Sequence, residues 1–114
     1  MKAIGISNPY TSGKVYIIWE IPHDKITGYE IYRNNILIAS SLKEEPDVFT
    51  HPTLFDHDHH TNLFKKDSTH KLMYVDESID RYQHYEYKVI AIRKDENGNT
   101  LETIESKPIY VQSQ

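Results

Sequence analysis

The sequence has no cysteine in its 114 residues. That excludes disulfides, thiol catalysis, redox switching and cysteine-based zinc sites. Glycine is sparse, at positions 5, 13, 28 and 98 only, too scattered for a loop that cradles phosphate. Basic residues are also outnumbered, 13 Lys and Arg against 17 Asp and Glu, for a net charge of −4. A nucleic-acid surface needs clustered Lys and Arg to displace counterions from phosphates, and Lys65-Lys66 is only a dipeptide. No apolar run approaches the ~20 residues that cross a bilayer, so no membrane insertion is expected. The opening MKAIGISNPYTSG lacks the continuous apolar stretch of a secretory signal. Nor is there an Arg-Gly-Asp sequence, which removes the obvious adhesive reading.

Chemistry-bearing patterns are equally thin. Ser7, Ser12, Ser40 and Ser41 have no Gly-x-Ser-x-Gly context. Asp24, Glu30, Asp76 and Glu77 fall on expected turns and outer faces, with nothing to indicate that any two flank a cleft. No catalytic residue and no cofactor-binding residue is assigned, and a small-molecule substrate is not expected.

The chain does contain nine tyrosines and frequent Ile and Val, a composition that favours strands. In Tyr85-Glu86-Tyr87-Lys88-Val89-Ile90-Ala91, apolar or aromatic residues alternate with charged ones. A period of two places Tyr85, Tyr87, Val89 and Ala91 on one face, against a core. Lys14 to Glu20 behaves similarly, with Val15, Ile17 and Trp19 inward and Tyr16 outward. Pro22 should end that pairing. Tyr29 and Ile31 share a face in the run Ile26 to Arg33, opposite Glu30 and Tyr32. Asn34-Asn35 offers a tight turn, since Asn tolerates positive φ. Further strands are expected at Ala3 to Ile6, Ile36 to Ser40, Leu72 to Asp76, Thr100 to Glu105 and Lys107 to Gln112, the last broken or bent at Pro108. Short strands separated by turn signals imply an all-β, immunoglobulin-like antiparallel β-sandwich of about seven strands. Its length is near the modal size of one domain and allows roughly two-thirds of the unfolded surface to be buried.

These motifs resemble a fibronectin type III domain of bacterial or phage type. The resemblance rests on Trp19 in KVYIIWEIP, Gly28-Tyr29 in ITGYEIYRNN, and Tyr74-x-Asp76-x-x-Ile79. It continues with Tyr85 six residues after Ile79, and with Ser106-x-Pro108 before the last strand. It covers Val15 to Val111 except for Ser41 to Lys71. It implies one domain over residues 1–114, with a structural core of Val15, Ile17, Trp19, Tyr29, Ile31, Tyr74, Ile79, Tyr85, Tyr87, Val89 and Ala91. Trp19 would bridge two sheets ~10 Å apart. Tyr85 would bury its ring, packed by Ile79, while its hydroxyl bonds nearby backbone.

The departure from the family is residues 41–71, a polar, His-rich insertion between the fourth and fifth strands, roughly twenty residues beyond an ordinary connection. Asp56, His57, Asp58, His59 and His60 are ligand types for zinc or another first-row metal. They lack the spacing of known zinc motifs, so the favoured reading is a solvated loop and no metal ligand is assigned. Val48, Phe49, Leu54, Phe55, Leu63 and Phe64 would fasten part of it to the sandwich, or else contact another protein. Tyr10, Tyr16, Tyr32, Tyr82 and Tyr110 lie off the inferred core face, where they could pair across strands or stack on sugars.

The resemblance implies a non-catalytic structural or protein-binding module of a cell-surface, secreted or phage-structural assembly. Its partner would be another protein, held through the insertion or a sheet edge. The alternatives are a carbohydrate-binding accessory domain and, behind it, a metal-binding protein using the histidines.

Overall fold

The computed structural model describes residues 1–8, 11, 13–41 and 70–114. Among them lie eight strands and no α-helix: β1 (Ala3–Ile6), β2 (Val15–Glu20), β3 (Gly28–Arg33), β4 (Ile36–Ser40), β5 (Lys71–Asp76), β6 (His84–Lys94), β7 (Thr100–Glu105) and β8 (Ile109–Gln112). They form two packed antiparallel sheets, an all-β sandwich. One sheet runs β1-β2-β5; the other runs β4-β3-β6-β7, with β8 also paired to β6. Eight strands stand where about seven were expected, and the last, expected from Lys107, begins only at Ile109, after a gap at Pro108, which has no amide proton to give. The gap is bridged by Ser106: its N–H donates to the Val89 carbonyl at 2.8 Å, and its hydroxyl accepts the Val89 N–H at 3.0 Å.

Local chemistry explains the turns. Asn34 and Asn35 join β3 to β4 with φ of 50° and 66°, the left-handed pair that matches the twist of a two-residue hairpin. Between β6 and β7, the Asp95 carboxylate accepts the N–H groups of Asn97 and Asn99 at 2.9 and 2.8 Å. Gly98 supplies the φ of 83° there.

The core is built by period-two alternation. Val15, Ile17 and Trp19 of β2 face Tyr29 and Ile31 of β3 and Tyr87, Val89 and Ala91 of β6, joined by Ile109 and Val111 of β8. The Trp19 and Tyr29 rings lie 5.3 Å apart, centroid to centroid, tilted by 54°. Burial raises the Tyr29 hydroxyl to a pKa of about 12, partly offset by a hydrogen bond with the Trp19 side chain. Removing such a tryptophan costs about 3–5 kcal/mol.

On the opposite face of the three-stranded sheet, Ile18 and Met73 are also buried, beside the half-buried Ile4, Ile6, Tyr16 and Val75. Strand register produces this second cluster: Ile4, Ile18 and Met73 are direct neighbours across β1, β2 and β5. Where β1 meets β8, only a glycine fits. A Cβ on Gly5 would run into Val111 and stand 3.0 Å from Ile109.

Candidate functional site

Asp76 ends β5 on its inner face, opposite Val15 of β2, and is wholly buried. Arg33, the last residue of β3, reaches it from the other sheet, Nη1 to Oδ2 at 2.8 Å. The Tyr87 hydroxyl of β6 donates to the same oxygen at 2.7 Å. Ser78 donates its hydroxyl and its N–H to Oδ1, at 2.8 and 3.1 Å. Burial by itself would push this carboxyl up; the bonds from Tyr87, Arg33 and Ser78 outweigh it and hold the group below the usual carboxylate range. Tyr87 is pushed up, first by burial and then by its bond to Asp76.

The arrangement determines what Asp76 can do. A carboxylate has about four acceptor sites, and four donors occupy them here. With no solvent contact and no spare lone pair, it cannot take a substrate proton or bind a metal. It clamps the two sheets together. Expecting Asp76 on a turn or outer face was therefore wrong. Its parity with Leu72 and Tyr74 turns it inward, and the buried charge is made tolerable by a guanidinium and hydroxyls.

Beside the clamp, the Arg33 guanidinium carbon stands 5.6 Å from the Tyr85 ring centroid. The Tyr85 hydroxyl accepts the Asp80 N–H at 2.8 Å, a bond to backbone five residues upstream. Tyr85 is half-buried, however, and so are Tyr74 and Ile79; all three pack against the core from its rim. Placing them inside the core is corrected on that point: Tyr74 and Tyr85 have inward strand parity and Ile79 lies on the β5–β6 connection, and all three are only partly buried against the core. The other eight core assignments, Val15, Ile17, Trp19, Tyr29, Ile31, Tyr87, Val89 and Ala91, are buried together.

The same corner holds a strained residue. Tyr82 has a φ of 62°, uncommon for a bulky side chain. Its N–H donates to the Ser113 carbonyl at 3.0 Å. The buried Ser113 hydroxyl then ties the loop down, donating to the Asp80 carbonyl at 2.6 Å and accepting the Gln83 N–H at 3.0 Å.

No group of three or more His, Asp or Glu is placed to hold a metal among the described residues. Asp56, His57, Asp58, His59 and His60 lie outside them, as do Tyr10, Ser12 and the apolar residues Val48, Phe49, Leu54, Phe55, Leu63 and Phe64. The described ends of the 41–71 segment are tied to different sheets. Ser41 exchanges backbone and side-chain bonds with Tyr29, and Lys71 pairs with Glu20. His23 instead binds Glu102, Nε2 to Oε1 at 2.8 Å, and this contact holds the Glu102 carboxyl below its ordinary range.

The outer face of the five-stranded sheet carries two open hollows on either side of Glu86. One, of about 210 Å³, is lined by Tyr32, Asn35, Lys88 and Glu105 among others. The second, of about 400 Å³, is lined by Asn34, His84, Tyr110 and Gln112. Tyr110 is 77% exposed. At the edge of the same sheet that pairs with no other described strand, Ile36 and Leu37 of β4 are 66% and 40% exposed. A bulge interrupts the β3–β4 pairing between Ile31 and Tyr32.

Neither a family model nor a curated protein matches the chain. Its fold is similar to that of a solved structure, a Family 28 exopolygalacturonase from Yersinia enterocolitica, with a TM-score of 0.51 at 18% identity. The likeness covers 88% of this chain and 18% of that one, and at such identity it concerns the fold alone.

Proposed function

We propose that the chain is a non-catalytic protein-binding or structural module of fibronectin type III type, serving a cell-surface, secreted or phage-structural assembly. The observation that carries this reading is the β4 edge. Free edges are normally guarded by charge, yet β4 reads ILIAS and exposes Ile36 and Leu37. Because bulges interrupt strand pairing, the partner would be held by these side chains rather than by a continued ladder. Strand order supports the family assignment. Constant-type immunoglobulin domains place their fourth strand in the sheet of the first two, whereas here β4 pairs with β3. The saturated Asp76 supports a scaffold rather than an acid–base centre.

The 41–71 segment follows β4 directly and would extend the same contact surface. Deleting Glu44 to Ser68 is expected to leave a folded domain that no longer retains the partner captured by the full chain, and Ile36→Lys should weaken that capture. If the deletion unfolds the protein, the segment belongs to the core and the reading fails.

A second reading, a carbohydrate-binding accessory domain, is favoured by one observation, the tyrosines on the outer sheet face. A glycan array separates the two.

A further inference from the structure

We propose that the outer face of the five-stranded sheet, along β6 between Tyr32 and Tyr110, binds a neutral oligosaccharide. This deepens the carbohydrate reading and rests on it; docking at the β4 edge is independent of it.

The site is assembled by strand register. Tyr32 of β3 is the direct neighbour of Lys88, and Tyr110 of β8 is the direct neighbour of Glu86. The two tyrosines therefore flank β6 on opposite sides, offset by two residues along it. Two inter-strand spacings and two residue rises put their Cα atoms about 12 Å apart. A ligand touching both must be longer than one sugar ring. Glu86 stands between them as a shared wall of the two hollows.

The chemistry suits a sugar. A pyranose presents a face of C–H groups, which an amphipathic tyrosine ring can cover. Its edge presents hydroxyls, which a carboxylate accepts in pairs and a side-chain amide can both donate to and accept from. Carboxylates (Glu86, Glu105) and amides (Asn35, Gln112) line the hollows in those roles. A flat protein surface pressed on the ridge would bury the Glu86 carboxylate without a partner, at a cost that sugar hydroxyls avoid.

Charge decides which sugars. Around the two hollows, among the described residues, Glu86 and Glu105 stand with Lys88 and His84, Glu30 shares the outward parity of Tyr32, and Lys88 Nζ lies 3.9 Å from Glu105 Oε2. A polyuronate or sulfated glycan would meet net negative potential and is disfavoured. The frame is also rigid before binding, which limits the ordering cost. β6 is paired on both sides, and Asn34 grips Glu86 twice. Asn34 Oδ1 accepts the Glu86 N–H at 3.0 Å, and the Asn34 N–H donates to the Glu86 carbonyl at 2.8 Å.

The test is titration of the full chain with cello-, manno- and xylo-oligosaccharides, and with oligogalacturonate as the polyanionic control. Binding is followed by calorimetry and by amide shifts over His84 to Lys88. At least one neutral series is expected to bind and to shift those amides, with oligogalacturonate weaker. Tyr110→Ala, at an exposed position, should fold normally by circular dichroism and lose affinity about tenfold, equivalent to about 1.4 kcal/mol. Glu86→Gln should weaken binding while leaving the fold intact. If no neutral series binds the native chain, both this proposal and the carbohydrate reading are overturned. If sugars bind but Tyr110→Ala and Glu86→Gln are unaffected, the site is wrong and the reading survives. Preference for oligogalacturonate also overturns the proposal.

Discussion

Asp76 offers the sharpest quantitative handle on the fold. Truncation in Asp76→Ala strands the Tyr87 hydroxyl and takes the counter-charge from Arg33, which keeps its bonds to the Ser78 hydroxyl and carbonyl. Tyr87 is wholly buried and cannot turn to water; the Arg33 side chain is 22% exposed and partly can. Breaking a buried ion pair from one side costs about 3–5 kcal/mol, and the partial escape of Arg33 argues for the lower half of that range. Against a total stability of about 5–15 kcal/mol, Asp76→Ala should give up a substantial share of it. Asp76→Asn is the better probe, since it keeps the shape and one acceptor; a loss of about 2 kcal/mol is expected.

Its pH dependence identifies the mechanism. The folded Asp76 carboxyl is held below its ordinary value, so its contribution is fully present above the unfolded carboxyl pKa of about 3.9. It is lost as pH falls from there through the folded value. Urea unfolding followed by the fluorescence of buried Trp19 at neutral pH and at successively lower values, for native and Asp76→Asn protein, measures this directly. The stability gap between the two should be constant near neutrality and close below about pH 4. A gap that stays unchanged down to pH 3 would mean that Asp76 is not an ionised clamp, and the reasoning would fail.

Two further substitutions test separate elements. Tyr82→Gly should stabilise the domain by about 1 kcal/mol in the same urea assay, because the left-handed backbone costs a side-chain-bearing residue about 1–2 kcal/mol and glycine returns part of that as entropy. A destabilised variant would mean that the Tyr82 ring contributes packing despite its 70% exposure. Gly5→Ala should destabilise by about 1–3 kcal/mol, the usual cost of overpacking, since the new methyl meets Val111 and Ile109. An unchanged midpoint would show that β1 and β8 can separate freely.

The strands were legible because their causes are local. Alternation of apolar residues in β2, β3 and β6 reflects one wet and one dry face, and it can be read without knowing what lies opposite. The Asn34-Asn35 turn was legible for the same reason, since asparagine tolerates the φ it must adopt. The partial burial of Tyr74 and Tyr85 was not, because parity says which way a side chain points and not how far the opposing sheet covers it; Ile79, on the β5–β6 connection, has no parity to read. The outer cluster of Ile18 and Met73 was also missed; it depends on β1, β2 and β5 lining up three side chains in one row.

Asp76 shows the division most clearly. Parity with Tyr74 could have turned it inward, and parity with Ile31 could have done the same for Arg33, so each half of the clamp left a trace in the sequence. Their meeting did not. Period, propensity and turn chemistry act over a few residues, and by themselves they determined the strand runs and most of the buried face. Which charged group meets which across the two sheets, and which tyrosines flank β6 on its outer face, was decided only by tertiary register. Those contacts join residues such as 33 and 76 that no local rule connects.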